Sequence, residues 1–129
     1  MFTLEQIHAV HDKVKSGADF PNYVKDMKAL GVKSYTAYVV NGSTNYIGDN
    51  RFSITSSAKY EELDVADRPN RDVFSADLKR HQNGETDYFQ FCKDCAKSGV
   101  AGWVMDLDKN TCNYFDKNED QVLMEMIPL

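Results

Sequence analysis

DFPNYVKDMKALGVKSYTAYVVNGSTNYIGDN, residues 19–50, lies without a gap over DYFQFCKDCAKSGVAGWVMDLDKNTCNYFDKN, residues 87–118, when the chain is shifted by 68 positions. Eight of the 32 aligned pairs are identical, among them Lys25/Lys93, Asp26/Asp94, Gly31/Gly99, Asn45/Asn113 and Tyr46/Tyr114. Others keep their chemistry, as in Tyr23/Phe91, Tyr35/Trp103 and Ile47/Phe115. Self-similarity at a fixed offset is the mark of a repeated supersecondary unit, so both stretches are expected to fold alike.

Each copy opens with a helix. Asp19 and Asp87 are N-cap candidates, because a short carboxylate accepts from the free N–H groups of a first turn. Apolar side chains then recur at Phe20, Tyr23, Val24 and Met27, and at Tyr88, Phe91, Cys92 and Cys95, spacings that gather them on one helical face. Gly31 and Gly99 stop the helices, since glycine takes the left-handed conformation without a Cβ penalty. Strands rich in aromatic and β-branched residues follow, VKSYTAYVV (32–40) and VAGWVMDL (100–107). Asn41-Gly42 signals a two-residue hairpin, and Lys109-Asn110 holds the matching place. Return strands are expected over 43–47 and 111–115, and third strands over 52–56 and 122–127.

A further helix precedes each copy. Thr3 with Gln6 makes a capping box for a helix over 4–15, and residues 71–83 carry Phe74, Leu78 and His81 at helical spacing. The plan is therefore ααβββ twice: a first copy over 1–57, a polar connector over 58–70 closed by Pro69, and a second copy over 71–129. A unit of roughly 60 residues has a marginal core of its own, so the copies should merge into a single domain. The expected fold is α+β, with about six strands in a largely antiparallel sheet and the helices on one face.

Strand alternation sorts the side chains. Tyr35, Ala37, Val39, Thr44 and Tyr46, with Trp103, Met105, Leu107, Cys112 and Tyr114, should form the covered core. Tyr38 and Asn45, paired across one hairpin, and Asp106 and Asn113, paired across the other, should line the opposite face beside Ile47, Val104 and Phe115. Apolar surface with convergent polar groups suits a ligand or a homodimer contact through that open face. These four residues are the candidate binding site.

The CxxC pair Cys92 and Cys95 invites a redox or metal reading. Alignment puts the two thiols over Val24 and Met27, core positions of the sister helix, and a free cysteine behaves as a small buried hydrophobe. Thioredoxin-type chemistry would place the nucleophile at the helix start, whereas Cys92 follows Asp87 by five residues. Structural zinc needs a second close pair of ligands, which is missing; Cys112 stands alone in a strand. An alternative from another class is a thiol-dependent enzyme using Cys92 with His81 and Asp87, against which stand the capping task of Asp87 and the stripe position of His81. His8 and His11 lack a third ligand at suitable spacing. Neither DLDKN (106–110) nor DKNEDQ (116–121) matches a calcium loop, and no phosphate-binding loop or nucleophile elbow occurs. No cofactor or metal is expected.

The whole chain of 129 residues carries 15 basic and 20 acidic residues, a net charge of -5, with the cations scattered. Nucleic acid and anionic membrane are excluded as expected partners, because phosphate neutralisation requires collected positive charge. Three cysteines, an odd number, suit a reducing cytoplasm better than a disulfide framework. MFTLEQIH has no basic-then-apolar signal pattern, and no run of 18 apolar residues occurs, so a soluble, non-exported protein is expected.

The segments HQNGETDYFQFCKDCAKSGVAGWVMDLDKNTCNYFDK and MEMIPL resemble a YbcV-like family of small bacterial proteins of unknown function. Its members occur in enterobacterial genomes and cryptic prophages and are sometimes labelled phage envelope protein. The resemblance implies a bacterial or prophage origin and an α+β domain of this length, and it carries no catalytic residues. The reading is of a non-catalytic module that binds a small molecule or a protein. The alternatives are the thiol enzyme and a structural phage component.

Overall fold

The structure, a computed structural model, describes residues 1–14 and 19–127. Its elements run α1 (Leu4–His11), α2 (Phe20–Leu30), β1 (Ser34–Tyr38), β2 (Thr44–Ile47), a 3-10 turn (Asp49–Arg51), β3 (Ser53–Thr55), α3 (Arg71–Gln82), α4 (Tyr88–Lys97), β4 (Gly102–Asp106), β5 (Thr111–Phe115) and β6 (Gln121–Met126). The strands form one antiparallel sheet in the order β3-β2-β1-β4-β5-β6. This is the α+β fold expected from the sequence.

Local chemistry sets the helix ends. Thr3 Oγ1 accepts from Gln6 N at 3.2 Å while Gln6 Oε1 accepts from Thr3 N at 2.9 Å, closing the capping box. Asp87 Oδ1 accepts from Gln90 N at 2.8 Å, and Asn70, which the sequence reading passed over, caps α3 through Val73 N at 3.2 Å. Asp19 occupies the N-cap of α2 in a helical conformation and makes no side-chain cap bond there. The first helix is shorter than expected, ending at His11 with Asp12 as its C-cap; Lys15, the expected end, lies outside the described residues.

The middle of the sheet is the β1–β4 pair, where Thr36 faces Val104. These residues are 68 positions apart, the offset that aligns the two stretches, so aligned residues lie at mirrored positions about this pair. Both inner hairpins close by four residues where two were expected. Tyr38 N donates to Ser43 O at 2.9 Å and Asp106 pairs with Thr111, leaving 39–42 and 107–110 as turns. A two-residue type I′ turn needs positive φ at both positions. Here only Gly42 (76°) and Asn110 (57°) have it, while the first turn residues, Val39 and Leu107, stay buried in the core. A shift of two residues preserves the alternation, so every side chain keeps its expected face.

All ten side chains assigned to the covered face are buried. The helices press on them: Phe74 meets Tyr114 with ring centroids 4.9 Å apart, Phe91 meets Trp103 at 5.6 Å, and His11 meets Tyr46 at 6.4 Å. Residues 58–70 do more than connect. Tyr60 Oη donates to Val39 O at 2.6 Å, Leu63 N to Val40 O at 2.8 Å and Ala66 N to Ala96 O at 2.8 Å, while Val65 is buried. The segment thereby ties the β1–β2 turn to α4.

One polar chain crosses the core. His11 Nε2 lies 2.9 Å from Tyr23 Oη, and Tyr23 Oη lies 3.3 Å from Tyr35 Oη, so the three groups form one hydrogen-bonded chain. Burial, reinforced by the charges of Lys59 and His8, holds His11 down to about 4 from 6.5. The unfolded chain therefore takes up a proton between these values that the folded chain refuses, so stability is complete above about 6.5 and falls as pH drops toward about 4. Denaturation midpoints measured across this range should decline with acid, and His11→Gln should remove the part of the decline that lies above the carboxylate range.

Gly31 and Gly99 both have positive φ, 99° and 78°, and a Cβ in that region costs about 1–2 kcal/mol. They differ in surroundings. A Cβ at Gly31 would meet only Phe2 Cδ2 at 3.9 Å, whereas one at Gly99 would fall among backbone atoms of Arg68 and Pro69. Gly99→Ala should therefore lower the urea midpoint clearly more than Gly31→Ala, which should show the conformational cost alone.

Candidate functional site

No helix packs on the second face of the sheet among the described residues; its outward positions are half-buried or exposed, apart from Gly102. The register arranges them in rows across the strands. The middle row reads Thr55, Asn45, Thr36, Val104, Asn113 and Met124. Another runs Ser53, Ile47, Ser34, Asp106, Thr111 and Met126, and a third brings Tyr38, Gly102 and Phe115 side by side. Six strands at about 4.8 Å spacing and five residues of about 3.3 Å give a face of roughly 400–500 Å² in projection.

All four candidate binding residues lie on this face, but the expected pairs do not form. The four-residue turns slide Asn45 opposite Thr36 and Asn113 opposite Val104, so Tyr38 faces Gly102 and Asp106 faces Thr111. Asn45 and Asn113 thus flank the central pair at three strand spacings, about 14 Å. Asn45 Nδ2 donates to Thr55 Oγ1 at 2.8 Å, which leaves its carbonyl oxygen available. Asn113 Oδ1 is shielded and has no hydrogen-bond partner. Asp106 Oδ1 is occupied by its own turn, accepting from Asp108 N and Lys109 N, both at 3.0 Å. Tyr38 and Ile47 are exposed.

Two features of the face escaped the sequence reading. Gly102 is the floor under Phe115: a Cβ there would meet Phe115 Cζ at 2.6 Å and clash with Ala37 O. Met124 and Met126 extend the apolar surface to the β6 edge, with relative exposures of 45% and 65%. The alternation of LMEM contains the second feature, because Met124 and Met126 fall on one parity and Leu123 and Glu125 on the other.

The thiols point the other way. Cys92, Cys95 and Cys112 are free and buried, with relative exposures of 1%, 0% and 4%. Burial pushes the Cys92 thiol up against the opposing hydroxyls of Tyr60 and Tyr88 and the charge of Lys59. Burial likewise raises Cys95 strongly and pushes Cys112 up to about 12. A thiol held neutral at pH 7 is a poor nucleophile and a poor metal ligand.

The proposed helpers of Cys92 are engaged elsewhere. His81 Nδ1 lies 3.1 Å from both the carbonyl oxygen and Oγ1 of Thr86, its ring stacks on Phe91 at 4.4 Å, and Asp87 caps α4. No hydrogen bond joins Cys92, His81 and Asp87 among the described residues. On the first helix His8 is exposed and His11 is taken by Tyr23. Among the described residues, no three His, Cys, Asp or Glu side chains converge as metal ligands, and no helix is long and apolar enough to cross a membrane.

Asp116 Oδ1 accepts from Asn118 N at 2.9 Å and Asp120 N at 3.0 Å, so the DKNEDQ carboxylate organises the β5–β6 turn. Cavities of about 270 and 300 Å³ lie at the start of α2, beside Lys13, Asn22 and Tyr23, and at its end, beside Phe2, Leu30 and Phe52; neither is lined by the candidate binding residues.

A family model described as a protein of unknown function (DUF1398) matches residues 8–126. A search of the curated proteins found no match.

The thiol geometry gives a direct expectation. Iodoacetamide applied to native protein at pH 7.5 should alkylate all three cysteines slowly, and in mild denaturant quickly, as read by intact mass. Rapid native labelling at Cys92 would favour the thiol enzyme.

Proposed function

The chain belongs to the DUF1398 family of proteins of unknown function, and from that premise we propose that it is a non-catalytic interaction module whose open sheet face receives a protein segment. The observation that carries this reading is the pairing of an uncovered six-stranded face with buried, neutral thiols: the polar and apolar groups that converge are on the face, and the nucleophile candidates are sealed. A shallow face suits a protein segment better than a drug-sized molecule, which is usually enclosed in a concave pocket. Asn45 and Asn113 would bond main-chain groups of the segment, while Tyr38, Ile47 and Phe115 supply apolar contact.

The two halves are read as copies of one ααβββ unit, 1–57 and 71–129 joined by 58–70 in a single domain. Support comes from the eight identities at offset 68 and from the mirrored placement of aligned residues about Thr36 and Val104. The YbcV-like kinship and the prophage origin rest on the sequence resemblance, and the cytoplasmic setting on the odd cysteine count.

Peptide display against the purified protein, followed by amide shift mapping with a selected peptide, tests the module. Shifts should gather on 34–47 and 102–115, and Tyr38→Ala and Asn113→Ala should each weaken the peptide roughly tenfold, about 1.4 kcal/mol. Shifts confined to α4 and residues 58–66 would move the site to the cysteine side. Large regular assemblies in solution would favour the structural phage component.

A further inference from the structure

The two edges of the sheet are unequal. β3 has three residues, follows a 3-10 turn and presents Ser53 and Thr55, so it offers little to pair with. β6 has six residues; a bulge opposite Phe115 marks its start, the ladder is regular from Leu123 to Met126, and none of Gln121–Met126 is Lys or Pro, residues that commonly blunt an edge. Its register sets Met124 opposite Asn113 and Met126 opposite Thr111, while Ile127 N donates to Asn110 O at 2.7 Å. Alternation in an antiparallel ladder then turns the N–H and C=O groups of Met124 and Met126 away from β5. Among the described residues no hydrogen bond reaches these outward groups.

We infer that β6 is a self-pairing seam, through which a second copy of this chain adds its own β6 antiparallel and extends the sheet across a twofold axis. A register centred on Met124 overlaps residues 122–126 of the two strands. It sets Met124 opposite its own copy, Val122 opposite Met126, and Leu123 opposite Glu125. The single charge of the strand therefore never faces itself, and Glu125 lies on the helix side, where Gln82 Nε2 donates to its Oε1 at 3.1 Å. A chain of net charge -5 thus keeps its repelling charges off the seam. The exposed Met124 and Met126 side chains of both copies meet on the open face.

Self-complementarity supports a second copy as the occupant: the Met124-centred register sets exposed Met124 against Met124 and Leu123 against Glu125, with no charge facing a like charge. Edge pairing of two copies makes one continuous face of about twice the size. The seam itself is smaller than a standard interface, so the dimer is reversible and concentration-dependent. The inference rests on β6 and not on the identity of what the face receives.

Sedimentation velocity over a concentration series should show a monomer–dimer equilibrium. Met124→Pro removes an outward N–H and no bond to β5, so it should abolish the dimer while the melting curve stays cooperative; Met126→Lys, on an exposed side chain, should weaken it roughly tenfold. Met124→Cys should cross-link on mild oxidation and Met126→Cys should not. A monomer at every concentration, a dimer that survives in folded Met124→Pro and Met126→Lys, or cross-linking through Met126→Cys alone would overturn the seam.

Discussion

Everything in this fold hangs on the antiparallel pairing of β1 with β4. Each run of two helices and three strands has an aromatic sheet face and apolar helical stripes, and a unit of that size has little interior of its own. Laying β1 against β4 joins Tyr35, Ala37 and Tyr46 to Trp103, Met105 and Tyr114 as one floor, on which all four helices rest. Pairing along these backbones also removes two sheet edges at once, leaving β3 and β6 as the edges among the described residues.

Much of this was legible because glycine, cap and alternation signals agree with one another. The helix stops at Gly31 and Gly99, the covered face and the burial of Cys92 and Cys95 all follow from patterns within a few residues. Hairpin register was not legible. Asn41-Gly42 has the composition of a two-residue turn, yet the burial of Val39 and the bonds from Lys59, Tyr60 and Leu63 favour a four-residue turn, and those partners come from a distant segment. That effect separated Tyr38 from Asn45, while at the second hairpin the turn bonds to Asp106 Oδ1 and the burial of Leu107 accompany the separation of Asp106 from Asn113. Residues 58–70 read as a polar connector because Tyr60, Leu63 and Val65 are spaced with no helical or strand period.

The interior also holds several titratable groups in their neutral forms. Three thiols, the Tyr23 and Tyr35 hydroxyls and a histidine lie within or beside the core, a collection that would be reactive in a cleft. Burial acts against the charged form of each, raising the thiols and phenols and lowering the imidazole, so all are neutral near pH 7. Hydrogen bonds link the histidine to the two phenols. Polar side chains with spare capacity are left on the uncovered face.

The central strand pair has a consequence for synthesis. Thr36 emerges from the ribosome 68 residues before Val104, and at about 5–20 residues per second β1 waits several seconds for its neighbour. During that interval the N-terminal half carries a bare inner strand edge and a partly uncovered aromatic layer. A nascent chain of this design is exposed to premature contact with its own copies on a polysome, and the late-arriving β4 ends that exposure.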